Sequence, residues 1–268
     1  MSGGSFLPTV QRHMYGVVPA AGVGTRLRPL TDDQPKAMVN VAGEPLLAHV
    51  FATLRESGVD ELIVVVGYRK ARILEHFGGT YRGLPITYVH QREPRGLGHA
   101  VLQAAPYVDG PFVVCNGDNV FEGDLACALK QYEQADADAA VVVESVARET
   151  ATDTGVVTVD ANDNRVIDII EKPVDPPSTL ATTGCYIATP ELFDALGLLR
   201  PSARGEYELT DGIGVLIRAG ADVLAFRAKH RRVNVNGPSD IDRAEAILET
   251  SPEQTTARSL IDTRALPS

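Results

Sequence analysis

The chain of 268 residues has no tryptophan, only three cysteines, five lysines among its 25 basic residues, and no long apolar run. Each shortage excludes something. Cys115, Cys127 and Cys185 are odd in number and lack C-x-x-C spacing, which argues against a disulfide framework or a zinc cluster. Cys115, within "FVVCNGD", reads as a small buried residue rather than a nucleophile. The six histidines are scattered, and only His90 and His99 share a neighbourhood, so no metal site is expected from them. The longest apolar stretches, at 62–66 and 112–115, fall far short of the roughly 20 residues a membrane span requires. The opening "MSGGSFLPTVQRH" carries neither a long apolar segment nor a small-residue cleavage signal, so the expectation is a cytoplasmic protein with no membrane partner. A net charge of −10 disfavours nucleic acid, whose phosphates demand clustered Lys and Arg. Any polyanion must therefore be held in a local pocket.

What the chain does contain is "VVPAAGVGTRLRPLTDDQPK", in which two glycines, two arginines and Lys36 follow directly on a short apolar run. Two phosphate-binding patterns fail here on spacing. The dinucleotide fingerprint G-x-G-x-x-G needs a third glycine where Leu27 stands and a helix where Pro29 and Thr31-Asp32-Asp33 interrupt one, which argues against a hydride-transfer cofactor. The P-loop would put Lys-Ser or Lys-Thr straight after its last glycine, but Gly24 is followed by Thr25-Arg26. Taken alone, Gly22 and Gly24 need mean no more than a tight turn. With Arg26 able to fork onto two phosphate oxygens and Lys36 supplying a point charge, the segment also suits a triphosphate.

Apolar, β-rich runs at 15–19, 62–66, 86–90, 112–115 and 139–143 alternate with helical periodicity at 46–57, 69–77, 97–105 and 125–134. That alternation predicts an α/β fold with a mainly parallel sheet covered on both faces, with ligands beyond the carboxyl ends of the strands. The glycine loop follows the first strand and "NGDN" follows the fourth, so both occupy that edge. Beyond Thr152 the shorter runs "GVVTVD", "RVIDII" and "TTGCYIA" predict antiparallel additions forming a second lobe. A last helix is expected to start at Ser239, with Ser239 and Asp242 as a capping box. Residues 1–13 read as a disordered extension, with Met14 as an alternative start, and 251–268 as a flexible tail, leaving 14–250 as the domain. Asp118, just past its strand, is either a turn residue of N-G-D or a hard oxygen ligand suited to Mg²⁺.

The motifs G-x-G-T-R…P-K, Q-x4-G-L-G-x-A, G-D, E-K-P, T-G and G-E-Y-E-L-T-D occur in that order. The chain thereby resembles sugar-1-phosphate nucleotidylyltransferases of the short archaeal and bacterial glucose-1-phosphate uridylyltransferase and thymidylyltransferase type, over nearly the whole of 14–249. The resemblance implies a doubly wound, Rossmann-like sheet with an inserted antiparallel sugar-binding lobe. It implies Arg26, Lys36 and Asp118 as catalytic, and nucleotide contacts along Ala20, Ala21, Gly22, Gly24 and Thr25. Gln91 and Gly96 of "QREPRG" match the pair that reads the pyrimidine edge. Gly155, Glu171, Lys172 and Thr182 match positions around the sugar phosphate. The implied reaction joins UTP or dTTP to a sugar 1-phosphate, glucose 1-phosphate first, in an Mg²⁺-dependent manner with release of pyrophosphate; a homo-oligomer is left open.

One departure stands out. Where relatives carry a second metal-binding Asp in a W-x-D-x-G segment, this chain reads "HRRVNVNGPSD", with Asn234 in its place. Asn234 or Asn236 then offers a carbonyl oxygen without charge. The alternatives are the same chemistry on N-acetylglucosamine or mannose phosphate, or a catalytically degenerate nucleotide-sugar sensor.

Overall fold

Short β-branched runs and amphipathic helices alternate through most of the chain, and the computed structural model shows how they assemble over residues 13–249, the part of the protein it describes. The expected tail at 251–268 lies outside the described residues, as does the expected extension apart from His13. In chain order the elements are β1 Tyr15–Ala20, the small hairpin β2 Asn40–Val41 and β3 Glu44–Pro45, α1 Leu46–Glu56, β4 Glu61–Val66 and α2 Lys70–Phe77. Next come β5 Thr80–Tyr81, β6 Leu84–His90, α3 Leu97–Leu102, β7 Phe112–Cys115, β8 Asn119–Phe121, α4 Ala126–Ala135 and β9 Ala139–Ser145. The last part holds α5 Arg148–Ala151, β10 Gly155–Val159, β11 Val166–Glu171, β12 Leu180–Ala188, α6 Glu191–Gly197, α7 Leu209–Arg218, β13 Val223–Arg227, β14 Arg232–Asn234 and α8 Pro238–Glu249.

Ten strands form one sheet along the path β11-β10-β12-β7-β1-β4-β6-β5, with β9 joined to β12 and β13 to β9. The strands β7, β1, β4 and β6 run parallel. Alternation along β1 and β4 sends Val17, Ile63 and Val65 to one face, under α3, α6 and α7. Val18, Leu62 and Val64 go to the other face, under α1 and α4. Both faces are covered, which is why "ELIVVV" is apolar almost throughout, and each such side chain contributes about 1.5–3 kcal/mol when fully buried. Cys115 and Cys185 pair across β7 and β12 as fully buried free thiols, matching the reading of Cys115 as a packing residue. Among the described residues no helix is long and apolar enough to cross a membrane.

Two expectations need adjustment. The runs after Thr152 do pair antiparallel, but β10, β11 and β12 continue the central sheet instead of standing apart from it. The last helix starts one residue early, at Pro238, and its cap is Asp240 rather than the Ser239 and Asp242 pair. Proline at the first helical position loses nothing, since its missing N–H has no partner within the helix, and Asp240 Oδ2 accepts from Asn236 N and Gly237 N at 2.9 Å each. This cap also fixes the backbone at Asn236.

β1 is the strand from which the connections leave in opposite directions, toward β4 on one side and β7 on the other. A crevice therefore opens beyond the carboxyl ends of β1 and β7. Gly184 of β12 closes its floor: its φ is 76°, its carbonyl accepts from Asn116 N at 3.0 Å, and a Cβ there would lie 2.6 Å from Asn116 Nδ2. Gly184→Ala is expected to cost about 1–3 kcal/mol, measured by chemical unfolding, because it adds left-handed strain to a clash beneath the Asn116–Gly117–Asp118 loop.

Candidate active site

The crevice holds two cavities. The first, about 370 Å³, is lined by Ala20, Ala21 and Gly22 after β1, by Lys36, by Gln91 and Gly96 between β6 and α3, and by Asn116 and Asp118 after β7. The second, about 520 Å³, takes Arg26, Asn116 and Asp118 together with Glu144, Gly155, Glu171, Lys172, Thr182, Asn234 and Asn236. Asn116 and Asp118 belong to both, so the Asp118 carboxylate stands where the cavities meet. Residues separated by about two hundred positions in the chain are thus brought to one point by the parallel strands.

Gly24 and Thr25 line neither cavity. Gly24 works from behind: with φ at 73°, it leaves no room for a Cβ, which would sit 2.7 Å from Lys36 Cβ, and its carbonyl accepts from Thr31 Oγ1 at 2.8 Å. Thr25 opens a single 3₁₀ turn, Thr25–Leu27, which buries Leu27 and turns Arg26 outward.

Lys36 Nζ donates to Asp118 Oδ2 at 2.7 Å and to Asn236 Oδ1 at 2.8 Å, and Arg26 reaches the same Asn236 oxygen at 3.3 Å. The Lys36 and Asp118 side chains are only 14% and 26% exposed, so their attraction is less screened than that of a surface pair. Asn234 Nδ2 donates to Asp118 Oδ1 at 3.1 Å and to Asn119 Oδ1 at 3.2 Å, while its own oxygen accepts from Asn236 Nδ2. The amide directions are dictated at both ends by groups that cannot change role. Asn119 Nδ2 meets the Thr183 carbonyl, which can only accept, and Asn119 Oδ1 meets Arg232, which can only donate. Lys36 and Arg26 impose the same constraint on Asn236. Asp118 Oδ2 and Asn236 Oδ1 therefore converge on one cationic position, now taken by the Lys36 ammonium, and Asn234 faces Asp118 with its N–H. Among the described residues no three His, Cys, Asp or Glu side chains cluster as a metal site, and the carboxylate that faces this position is Asp118.

The second cavity is ringed by polar groups. Gly155 and Glu171 are cross-strand partners, and Thr210 Oγ1 donates to Glu171 Oε2 at 3.3 Å. Burial, and then the neighbouring Glu208, push the Glu171 carboxyl above its ordinary range, with Lys172 and Arg204 opposing. Lys172 is held at φ 47°, an uncommon conformation outside glycine. Thr182 is buried and accepts from the Tyr186 hydroxyl at 3.1 Å. Sequence reasoning did not single out Arg232, which is paired with Glu144, or Arg204, which reaches Glu171 and the buried Glu208. Arg232 lies inside "HRRVNVNG" and Glu208 inside "GEYELTD", so the segments were visible while their contacts were not.

The sequence profile of the nucleotidyl transferase family matches residues 15–256. The chain belongs to that family. This nucleotidyl transferase is 46% identical over 244 residues to the UTP–glucose-1-phosphate uridylyltransferase AglF of Haloferax volcanii, covering 91% of this chain and 100% of that one. Its fold matches that of a UDP-glucose pyrophosphorylase solved in complex with UDP-glucose, with a TM-score of 0.81, 26% identity, and 87% and 97% of the two chains covered. A UTP-bound UGPase from Acinetobacter baumannii aligns with a TM-score of 0.80 at 25% identity, over 94% of this chain and 100% of that one.

The Glu171 shift has a measurable sign. A carboxyl whose folded-state pKa is raised is disfavoured when ionised, so at neutral pH its charge costs stability, and that cost disappears once pH falls low enough to protonate it. Glu171→Gln is expected to stabilise this nucleotidyl transferase at pH 7, and to lose that advantage at pH 4, where the wild-type carboxyl is protonated. Urea unfolding at the two pH values checks it.

Proposed function

We propose that this nucleotidyl transferase joins UTP and glucose 1-phosphate to give UDP-glucose and pyrophosphate, with dTTP as the alternative nucleotide. The observation that carries this reading is that Asp118 and Asn116 are shared by two cavities, one reached from the glycine loop and Gln91, the other from Glu171 and Thr182. A triphosphate in the first and a sugar phosphate in the second would meet at that wall. The full-length match to AglF supports the choice of UTP and glucose 1-phosphate.

In this reading the backbone at Ala21 and Gly22, with Arg26 and Lys36, binds the triphosphate. Gln91 and Gly96 hold the base, while Glu171 accepts from sugar hydroxyls and Lys172 neutralises the sugar phosphate. An oxygen of the sugar phosphate attacks the α-phosphorus in line, a new P–O bond forms, and the bond to the leaving pyrophosphate breaks. The nucleophile is already an anion, so no general base is required, and positioning and charge neutralisation supply the catalysis.

The donor set fits Mg²⁺, which is commonly held by one or two carboxylates plus substrate phosphates. Asp118 Oδ2 and Asn236 Oδ1 would hold it, since both already face the Lys36 ammonium, whose flexible stem lets it turn to the triphosphate. When bound, the ion would offset negative charge on the phosphates during transfer.

Pyrophosphate release measured over UTP, dTTP, CTP and GTP, each against several sugar phosphates, tests the function. The expected result is turnover with UTP or dTTP and glucose 1-phosphate. Binding of nucleotide sugars with no release from any pair would replace the enzyme by a sensor. A separate expectation concerns Asn234. In Asn234→Asp a carboxylate replaces the donor beside Asp118, so stability without divalent ions should fall by about 1–2 kcal/mol and recover with millimolar Mg²⁺, as read by thermal unfolding with and without the ion.

A further inference from the structure

The amide of Gln91 is buried against the wall of the first cavity, and its orientation is set by two acceptors. Nε2 lies 3.3 Å from the Gly96 carbonyl and 2.8 Å from His99 Nδ1. A backbone carbonyl can only accept, so the atom facing it is the nitrogen, and its second hydrogen is directed to His99. That makes Nδ1 the acceptor and places the imidazole proton on Nε2. Gln103 Nε2 donates to the His99 backbone carbonyl at 3.2 Å, so it too is fixed as a nitrogen, and its 3.4 Å approach to His99 Nε2 is long beside the 2.8 Å contact at Nδ1. His99 remains neutral more readily than a free imidazole because burial lowers its pKa and Arg95 adds to the effect, with Glu93 opposing. The ring of Tyr207 lies 6.1 Å away and brings no charge.

Both hydrogens of Gln91 Nε2 are thus engaged within the protein. Among the described residues nothing donates to Gln91 Oε1, so the polar atom left for a ligand is an acceptor. A base meeting that edge must bring an N–H. With N3 of the base against Oε1, uracil and thymine present an N–H, whereas cytosine presents a lone pair there and carries its donor at N4 instead, and two acceptors face to face would both lose their hydrogen bonds to water.

We propose that His99 is the positioning residue that sets base specificity: by accepting from Gln91 Nε2 it directs Oε1 at the base, admitting uracil or thymine and rejecting cytosine. The proposal rests on the reading of the first cavity as the nucleotide site. Without the His99 acceptor, Gly96 alone restrains the amide, and Gln91 can turn to offer its N–H to cytosine N3.

The test is isothermal titration of the full-length protein with UTP and CTP in the presence of Mg²⁺, for the wild type, His99→Leu and His99→Asn, with thermal unfolding of each. Should His99→Leu not fold, His99→Ala serves. The Asn oxygen can stand where Nδ1 stands and accept the same hydrogen. The expected result is a preference for UTP in the wild type, reduced about tenfold in His99→Leu mainly through tighter CTP binding, and retained in His99→Asn. An unchanged preference in His99→Leu, or an equal loss in His99→Asn, overturns the proposal while leaving the nucleotide site intact. No UTP binding by the wild type overturns the nucleotide-site reading, and this proposal with it.

Discussion

Lys36 and Asp118 come from loops 82 positions apart and meet at 2.7 Å. Their contact requires the carboxyl ends of β1 and β7 to lie side by side, and the sheet arranges this by making those two strands parallel neighbours at the point where the chain reverses its direction of travel. Gly117 N bonds to the Pro19 carbonyl at 3.1 Å, so the two loops are held by backbone as well as by charge. Around this pair the rest of the site is arranged: the glycine turn behind Lys36, the Asn234 and Asn236 segment over Asp118, and the two cavities on either side. A phosphoryl group transferred between the cavities would develop its charge beside a lysine and an arginine already aimed at one oxygen.

The site manages its own charge economically. The chain carries a net charge of −10, yet in the proposed reaction a triphosphate and a sugar phosphate, both anionic, would share one crevice. Around Asp118 the neighbours are amides and cations, so the site contributes one carboxylate where a second Asp would have added repulsion in the absence of a metal. Amides have direction, and here direction comes from partners whose roles are fixed, namely backbone carbonyls, lysine and arginine. The same logic recurs at Gln91, whose N–H groups are committed to a carbonyl and an imidazole. Acidic groups gather mainly at the second cavity, where Glu171, Glu206 and Glu208 share Arg204, with Glu206 lining the first cavity as well.

Much of the fold could be read from pattern. The central strands at 62–66 and 112–115 were legible because a strand buried on both faces must be apolar at every position, and α1 and α2 because their apolar residues recur at helical spacing. The place of β10, β11 and β12 was not legible, since antiparallel pairing looks the same in sequence whether strands extend a sheet or form a separate one. The start of α8 was misjudged because two acidic residues, Asp240 and Asp242, compete for the capping role, and only the backbone path at Asn236 decides between them. Gly24 was recognised as a special position, but its work is to make room for Lys36 rather than to line the cavity.

Composition and spacing alone were enough to determine that this chain builds a two-faced α/β sheet and carries a glycine and arginine loop that is neither a P-loop nor a dinucleotide fingerprint, and its ordered motifs resemble those of nucleotidyl transferases. These are local properties, carried by periodicity and by residue type within a few positions. Tertiary structure alone decided that Asp118 separates two cavities, that Arg232 and Arg204 serve the second of them, and which amide oxygens face outward. Such features arise from contacts between residues as far as 210 positions apart, and the direction of a hydrogen bond depends on the partner that folding brings to it.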